Sequence, residues 1–146
     1  MKKFFLIIFT LFIIGILFYL FSHYTMEINL NWDINIPIED KLIYYEDGKD
    51  EDDINFHGDG RNYVVLEYND ERKIEKLSKI NWISGKNKEV EIKALEVIEA
   101  IEVDNQYIID FTKDYQYFYK EINKTNFIII FYHKENNIVY IVEQKT

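Results

Sequence analysis

The sequence predicts an α+β fold: one small mixed domain with a mostly antiparallel sheet and about two helices, preceded by an N-terminal transmembrane helix. Three observations lead there. An apolar run behind two lysines opens the chain, two stretches of helical periodicity occupy its middle, and strand-like runs fill its last third. Of 146 residues, 48% are hydrophobic and 17% aromatic, with one proline and five glycines, so a packed core is favoured over disorder. Residues 1–22 read as the anchor (or an uncleaved signal), and residues 25–146 then suffice for one domain but not two.

The opening run extends from Phe4 to Phe21 and is interrupted only by Thr10 and Gly15. Its 18 residues make a helix of about 27 Å, near the lower end of what crosses a bilayer core. Tyr19 and Tyr24 flank its far end, where amphipathic rings favour the membrane interface. A cleavable signal peptide shares the positive start, but its apolar region is usually shorter. The best cleavage candidate, Leu20-Phe21-Ser22, has a bulky leucine where a small residue is needed. An uncleaved, single-pass anchor in the cell membrane is therefore expected. Lys2 and Lys3 precede the run and no further Lys or Arg occurs before Lys41, which is expected to place the N-terminus in the cytoplasm and residues 25–146 outside it.

There is no cysteine, which rules out disulfides and a lipid-modified cysteine. Without Lys2 and Lys3, 15 basic side chains face 26 acidic ones, a net charge of about −11 on the outer domain. Such a domain is repelled by phosphate backbones, so nucleic acid is excluded as a partner.

Beyond the anchor, Met26, Ile28, Leu30, Trp32, Ile34, Ile36 and Ile38 alternate with polar residues or Pro37, which predicts a strand or an extended arm. A short strand over Lys41–Tyr45 follows, then a loop from Glu46 to Gly60. Tyr63–Tyr68 is β-branched and aromatic, a strand. Asp70 suits the N-cap of a helix over Glu71–Asn81, with Ile74, Leu77 and Ile80 on one side. Ser84-Gly85-Lys86-Asn87 interrupts the chain before a second helix over Glu89–Glu102, apolar at Ala94, Val97, Ile98 and Ile101. Three strands complete the prediction: Tyr107–Thr112, Phe127–His133 and Ile138–Glu143, the last two joined as a hairpin by Lys134-Glu135-Asn136-Asn137. Phe127–Tyr132 is apolar on both faces and should be a central strand.

Three stretches carry candidate chemistry. Glu46, Asp47, Asp50, Glu51, Asp52 and Asp53 supply six carboxylates, a number that suits calcium. The ligand order of an EF-hand is absent, and a charge run is more often a solvated loop, so neither a metal nor a cofactor is expected. His57-Gly58-Asp59-Gly60 indicates a tight turn. His57 and Asp59 could work as an acid–base pair, but the segment offers no third group; a structural turn is the commoner meaning. Tyr115, Tyr117 and Tyr119, with Tyr107, Phe111 and Phe118 nearby, form an aromatic cluster fit for a peptide or sugar platform, although aromatics at such spacing more often belong to a core.

Phe56-His57-Gly58-Asp59-Gly60, leading into Tyr63-Val64-Val65-Leu66-Glu67-Tyr68, resembles an uncharacterised family of small Gram-positive bacterial proteins that carry an F-H-G-D-G loop. The C-terminal hairpin, from Asn126-Phe127 to Glu143, is similar to that family's N-F β-hairpin. The likeness spans residues 42–146 and implies a fold rather than an activity. It departs at Asp53-Ile54-Asn55, where the family has a histidine and paired glycines. The resulting expectation is a non-enzymatic binding or accessory module that meets the membrane through residues 4–21 and an envelope protein or peptide through the domain. Binding residues are expected among His57, Gly58, Asp59, Gly60, Tyr115, Tyr117 and Tyr119. The alternatives are a cell-envelope enzyme acting through His57 and Asp59, and an accessory subunit of a membrane complex.

Overall fold

The doubly apolar run ends up where its pattern requires, inside a six-stranded antiparallel sheet. The computed structural model describes residues 8–16, 24–48 and 60–145. The strands are β1 (Lys41–Asp47), β2 (Gly60–Glu67), β3 (Ile83–Ser84), β4 (Gln116–Asn123), β5 (Asn126–His133) and β6 (Ile138–Lys145). Their spatial order is β1-β2-β6-β5-β4-β3. Every residue of β5 from Phe127 to His133 is buried, as expected of an interior strand covered on both faces.

Successive side chains of a strand point to opposite faces. Tyr63 and Val65 of β2, Phe127, Ile129 and Phe131 of β5, and Val142 of β6 share one core cluster. Val64, Leu66, Ile128, Ile130, Val139 and Ile141 alternate with them and are also buried. The first face is covered by α3 (Lys88–Ala100), which contributes Val90, Ala94, Val97 and Ile98. Asn87 caps this helix, its side chain accepting from the amides of Glu89 and Val90. At the other end Glu102 adopts φ 54°, its N–H donating to the Glu99 carbonyl while that of Val103 donates to Ile98. This is a Schellman closure with glutamate where glycine is usual.

The shorter helix α2 (Glu71–Ser78) starts as expected, with Asp70 accepting from the Arg72 amide. Its last turn is tied by the Trp82 indole N–H, which donates to the Leu77 carbonyl at 2.7 Å. The β4–β5 turn is tight because the Asn123 side chain accepts from the Thr125 and Asn126 amides. In the β5–β6 turn, Asn137 takes a left-handed conformation, φ 54°, which asparagine tolerates better than most residues.

Two strand expectations are corrected. Residues 24–38 are not a strand: α1 (Tyr24–Trp32) is helical and only the stretch after it is extended. Thr25, Ile28 and Trp32 are buried, a helical spacing hidden within the alternating pattern, whereas Leu30 is exposed. The helix is held by contacts distant in sequence. The Tyr24 amide and the Thr25 hydroxyl donate to the two Glu39 carboxylate oxygens at 3.1 and 2.5 Å. Asn29 exchanges two hydrogen bonds with the backbone of Ile36, at 2.7 and 2.8 Å. Glu39 thus caps α1 from beyond its far end, a partner that no local pattern reveals.

The strand expected over Tyr107–Thr112 is a 3₁₀ turn, Asn105–Tyr107, followed by irregular chain, and the strand proper is Gln116–Asn123. Apolar residues at 107–109 and 111 resemble a strand because they seat a covering segment on the sheet. Tyr107, Ile108 and Phe111 pack against the core cluster and Ile109 belongs to it.

The chain divides into two units, Met1–Glu39 and Asp40–Thr146. Within the first, residues 8–16 are helical. Among the described residues no helix is long and apolar enough to cross a membrane. The remainder of the Phe4–Phe21 run lies outside the described residues, as do positions 49–59.

Candidate functional site

Of the seven residues expected to bind, His57, Gly58 and Asp59 lie outside the described residues. Gly60 opens β2 opposite Lys145. Its φ of +146° suits glycine and open space surrounds it.

The three tyrosines come together along one line, where β4 meets α3. Tyr115 precedes the strand, and Tyr117 and Tyr119 project from one face of it. The Asn87 amide donates to the Tyr115 hydroxyl at 3.1 Å, and the Asn87 side chain to the Tyr117 hydroxyl at 3.0 Å. The Tyr115 hydroxyl donates in turn to Glu91. Two turns along α3 from Asn87, Lys93 donates to the Tyr119 hydroxyl at 2.5 Å and to Glu121 at 2.6 Å. Its ammonium also lies 5.1 Å from the Tyr119 ring centre and 5.0 Å from that of Phe127. The rings of Tyr115 and Tyr117 are both buried. Their polar ends thus bind the helix to the sheet, and only Tyr119 is partly open.

The electrostatics of this line favour fixed charges over proton transfer. Burial and the bond to Glu91 push the Tyr115 hydroxyl up to about 12, so it stays a neutral donor. The hydrogen bonds that Lys93 donates to Glu121 and Tyr119 raise its ammonium above its ordinary value and keep it charged. Hydrogen bonds from Lys93 and Tyr119 lower Glu121 and keep it ionised. A general acid or base would need a value drawn toward neutrality, and these three move away from it.

A second polar group, which the sequence did not single out, sits at the Gly60 end of the sheet. Glu143 is 1% exposed, accepts from the Asn62 side chain at 2.8 Å and pairs with Lys145 at 2.7 Å. Asn62 and Glu143 are direct cross-strand partners, which accounts for the contact. The signal available was an Ile-Val-Glu-Gln-Lys ending, in which Glu143 keeps the strand's alternation but breaks its apolar character.

A third group lies beneath residues 105–115, which cross the sheet as a strap. The Tyr63 hydroxyl donates to the Tyr107 carbonyl at 2.8 Å and accepts from the Ile109 amide at 3.0 Å. Tyr44 stacks on Tyr107 with ring centres 4.3 Å apart. Lys86 donates to the carbonyls of Phe111 and Thr112, both at 2.9 Å. His133 is 3% exposed, and its ring meets Tyr140 edge-on at 5.1 Å. Burial lowers its pKa, assisted by the positive charge of Lys113 and opposed by Asp110 and Glu135.

Among the described residues no group of three or more histidine, aspartate or glutamate side chains is placed to hold a metal ion; Asp50, Glu51, Asp52 and Asp53 of the acidic loop fall outside them. No protein-family model, curated protein or solved structure matches the chain.

Proposed function

We propose that this chain is a membrane-anchored protein whose acidic domain, outside the cytoplasm, is a non-enzymatic binding or accessory module for an envelope protein or peptide. The observation that carries the reading is the helical stretch at residues 8–16. All of its seven large apolar side chains, Ile8, Phe9, Leu11, Phe12, Ile13, Ile14 and Ile16, are between 40% and 64% exposed. A helix that is apolar all round finds its favourable surroundings in a core or a bilayer, and exposed apolar surface of this extent marks an interaction with one or the other. Lys2 and Lys3 before it, and the lack of Lys or Arg from there to Lys41, support a cytoplasmic N-terminus.

The binding reading draws on how the polar groups of the domain are used. The hydroxyls of Tyr63, Tyr115, Tyr117 and Tyr119 hold the fold together. This leaves recognition to exposed surface, where Leu42, Tyr45, Ile83 and Ile122 stand out. A pair of reporters fused after Thr146 tests the topology. An export-dependent reporter should be active and a cytoplasm-dependent one silent. The opposite pattern would reverse the orientation and remove any envelope partner.

A further inference from the structure

We propose that His133 is an acid-sensitive latch: protonation of its buried imidazole releases the strap formed by residues 105–115 from the sheet and bares the aromatic face beneath. The inference is independent of the anchor. His133 is 3% exposed and its Nε2 has no hydrogen-bond partner. A neutral imidazole tolerates such a site, but an imidazolium there would carry a buried N–H with no acceptor and a charge with little solvation.

The charged and titratable groups around it come from three elements. Lys113 and Asp110 belong to the strap, Glu135 to the β5–β6 turn, and Tyr140 to β6. Lys113 opposes a second positive charge, whereas Asp110 and Glu135 would favour one, and burial dominates all three. The strap rests on the Tyr63 and Lys86 bonds and on the seating of Phe111 against Phe131, with ring centres 5.1 Å apart. Its release would expose Phe111, Tyr115, Phe131 and Tyr140.

The sign follows from linkage. The folded imidazole titrates below its ordinary value of 6.5, so the open state binds more protons in the interval beneath 6.5. The closed strap is fully favoured above about pH 6.5 and loses ground as the pH falls toward the lowered value.

Hydrogen exchange on the full-length chain in detergent micelles, corrected for intrinsic rates, tests the proposal at pH 7.5 and 5.5. Amide protection over residues 105–115 should fall on acidification, at most about tenfold per pH unit because one proton is linked. Protection in the β5–β6 hairpin should hold. His133→Phe and His133→Gln should each abolish the acid-dependent loss. The proposal is overturned if the strap shows no loss, if the loss spreads evenly over the sheet, or if it persists in either folded variant. An NMR titration of His133 in the native chain gives a second readout that needs no variant. A midpoint below 6.5 is expected, and one at or above 6.5 overturns the latch.

Discussion

At the scale of single residues, two positions are governed by backbone geometry. Glu102 closes α3 in a left-handed conformation, φ 54°, where a β-carbon costs about 1–2 kcal/mol. Glu102→Gly should therefore raise stability by up to about 1 kcal/mol, after allowing for the extra freedom of glycine when unfolded. Chemical denaturation would show an increased midpoint. Gly48 is the opposite case. A β-carbon there would lie 2.4 Å from Ile101 Cγ2, on a short, branched side chain in the core. Gly48→Ala should cost about 1–3 kcal/mol through overpacking. The sequence showed Gly48 only as part of an acidic loop, because the close approach comes from an element some fifty residues away. The case of Asp40 concerns charge. Its burial works against ionisation, but hydrogen bonds from Lys73 and the amides of Asp70 and Asn69 prevail and lower it from 3.8 to about 2. Its contribution is present above pH 3.8 and is lost as pH falls toward 2. Asp40→Asn should flatten the acid limb of the melting curve across that interval.

At the scale of elements, what could be read from the sequence was what local chemistry dictates. Asp70 before α2 behaves as its residue type implies. The four-residue link between β5 and β6 forms a turn, and the doubly apolar β5 is interior. Two elements were hidden, each for a physical reason. In residues 26–38 the apolar positions satisfy period two, while Thr25, Ile28 and Trp32, the buried residues of Tyr24–Trp32, fall at helical spacing. Glu39 and Asn29 decide between them by supplying the helix cap and the clasp on Ile36. Glu39→Ala should consequently unwind the start of α1 and cost about 1–3 kcal/mol, combining a lost cap with an unsatisfied Thr25 hydroxyl. Reduced helicity by circular dichroism would accompany the loss. The strap was hidden because an apolar segment lying on a sheet resembles one running within it. The tyrosine line was legible as aromatic clustering; that its hydroxyls all serve α3 was not, since Asn87 and Lys93 are about 26 to 30 residues from their partners.

At the scale of the whole molecule, the α+β class was legible because strand-forming and helix-forming stretches separate along the chain. The sheet order β1-β2-β6-β5-β4-β3 was not, since of its connections only the β5–β6 turn was read, and β3 and β4 were not anticipated as strands. The edge strand β1 carries an irregularity in register between Leu42 and Tyr44, and β4, beside the two-residue edge strand β3, carries another between Glu121 and Asn123. A bulge of this kind on an edge strand discourages edge-to-edge pairing. The proposed anchor is residues 4–21. Alkaline carbonate extraction of cells producing the full-length protein tests it most directly, with the chain's N-terminus identified by mass spectrometry. An intact chain that retains Lys2 and Lys3 and stays in the membrane pellet is expected. A carbonate-soluble chain beginning near His23 would contradict it.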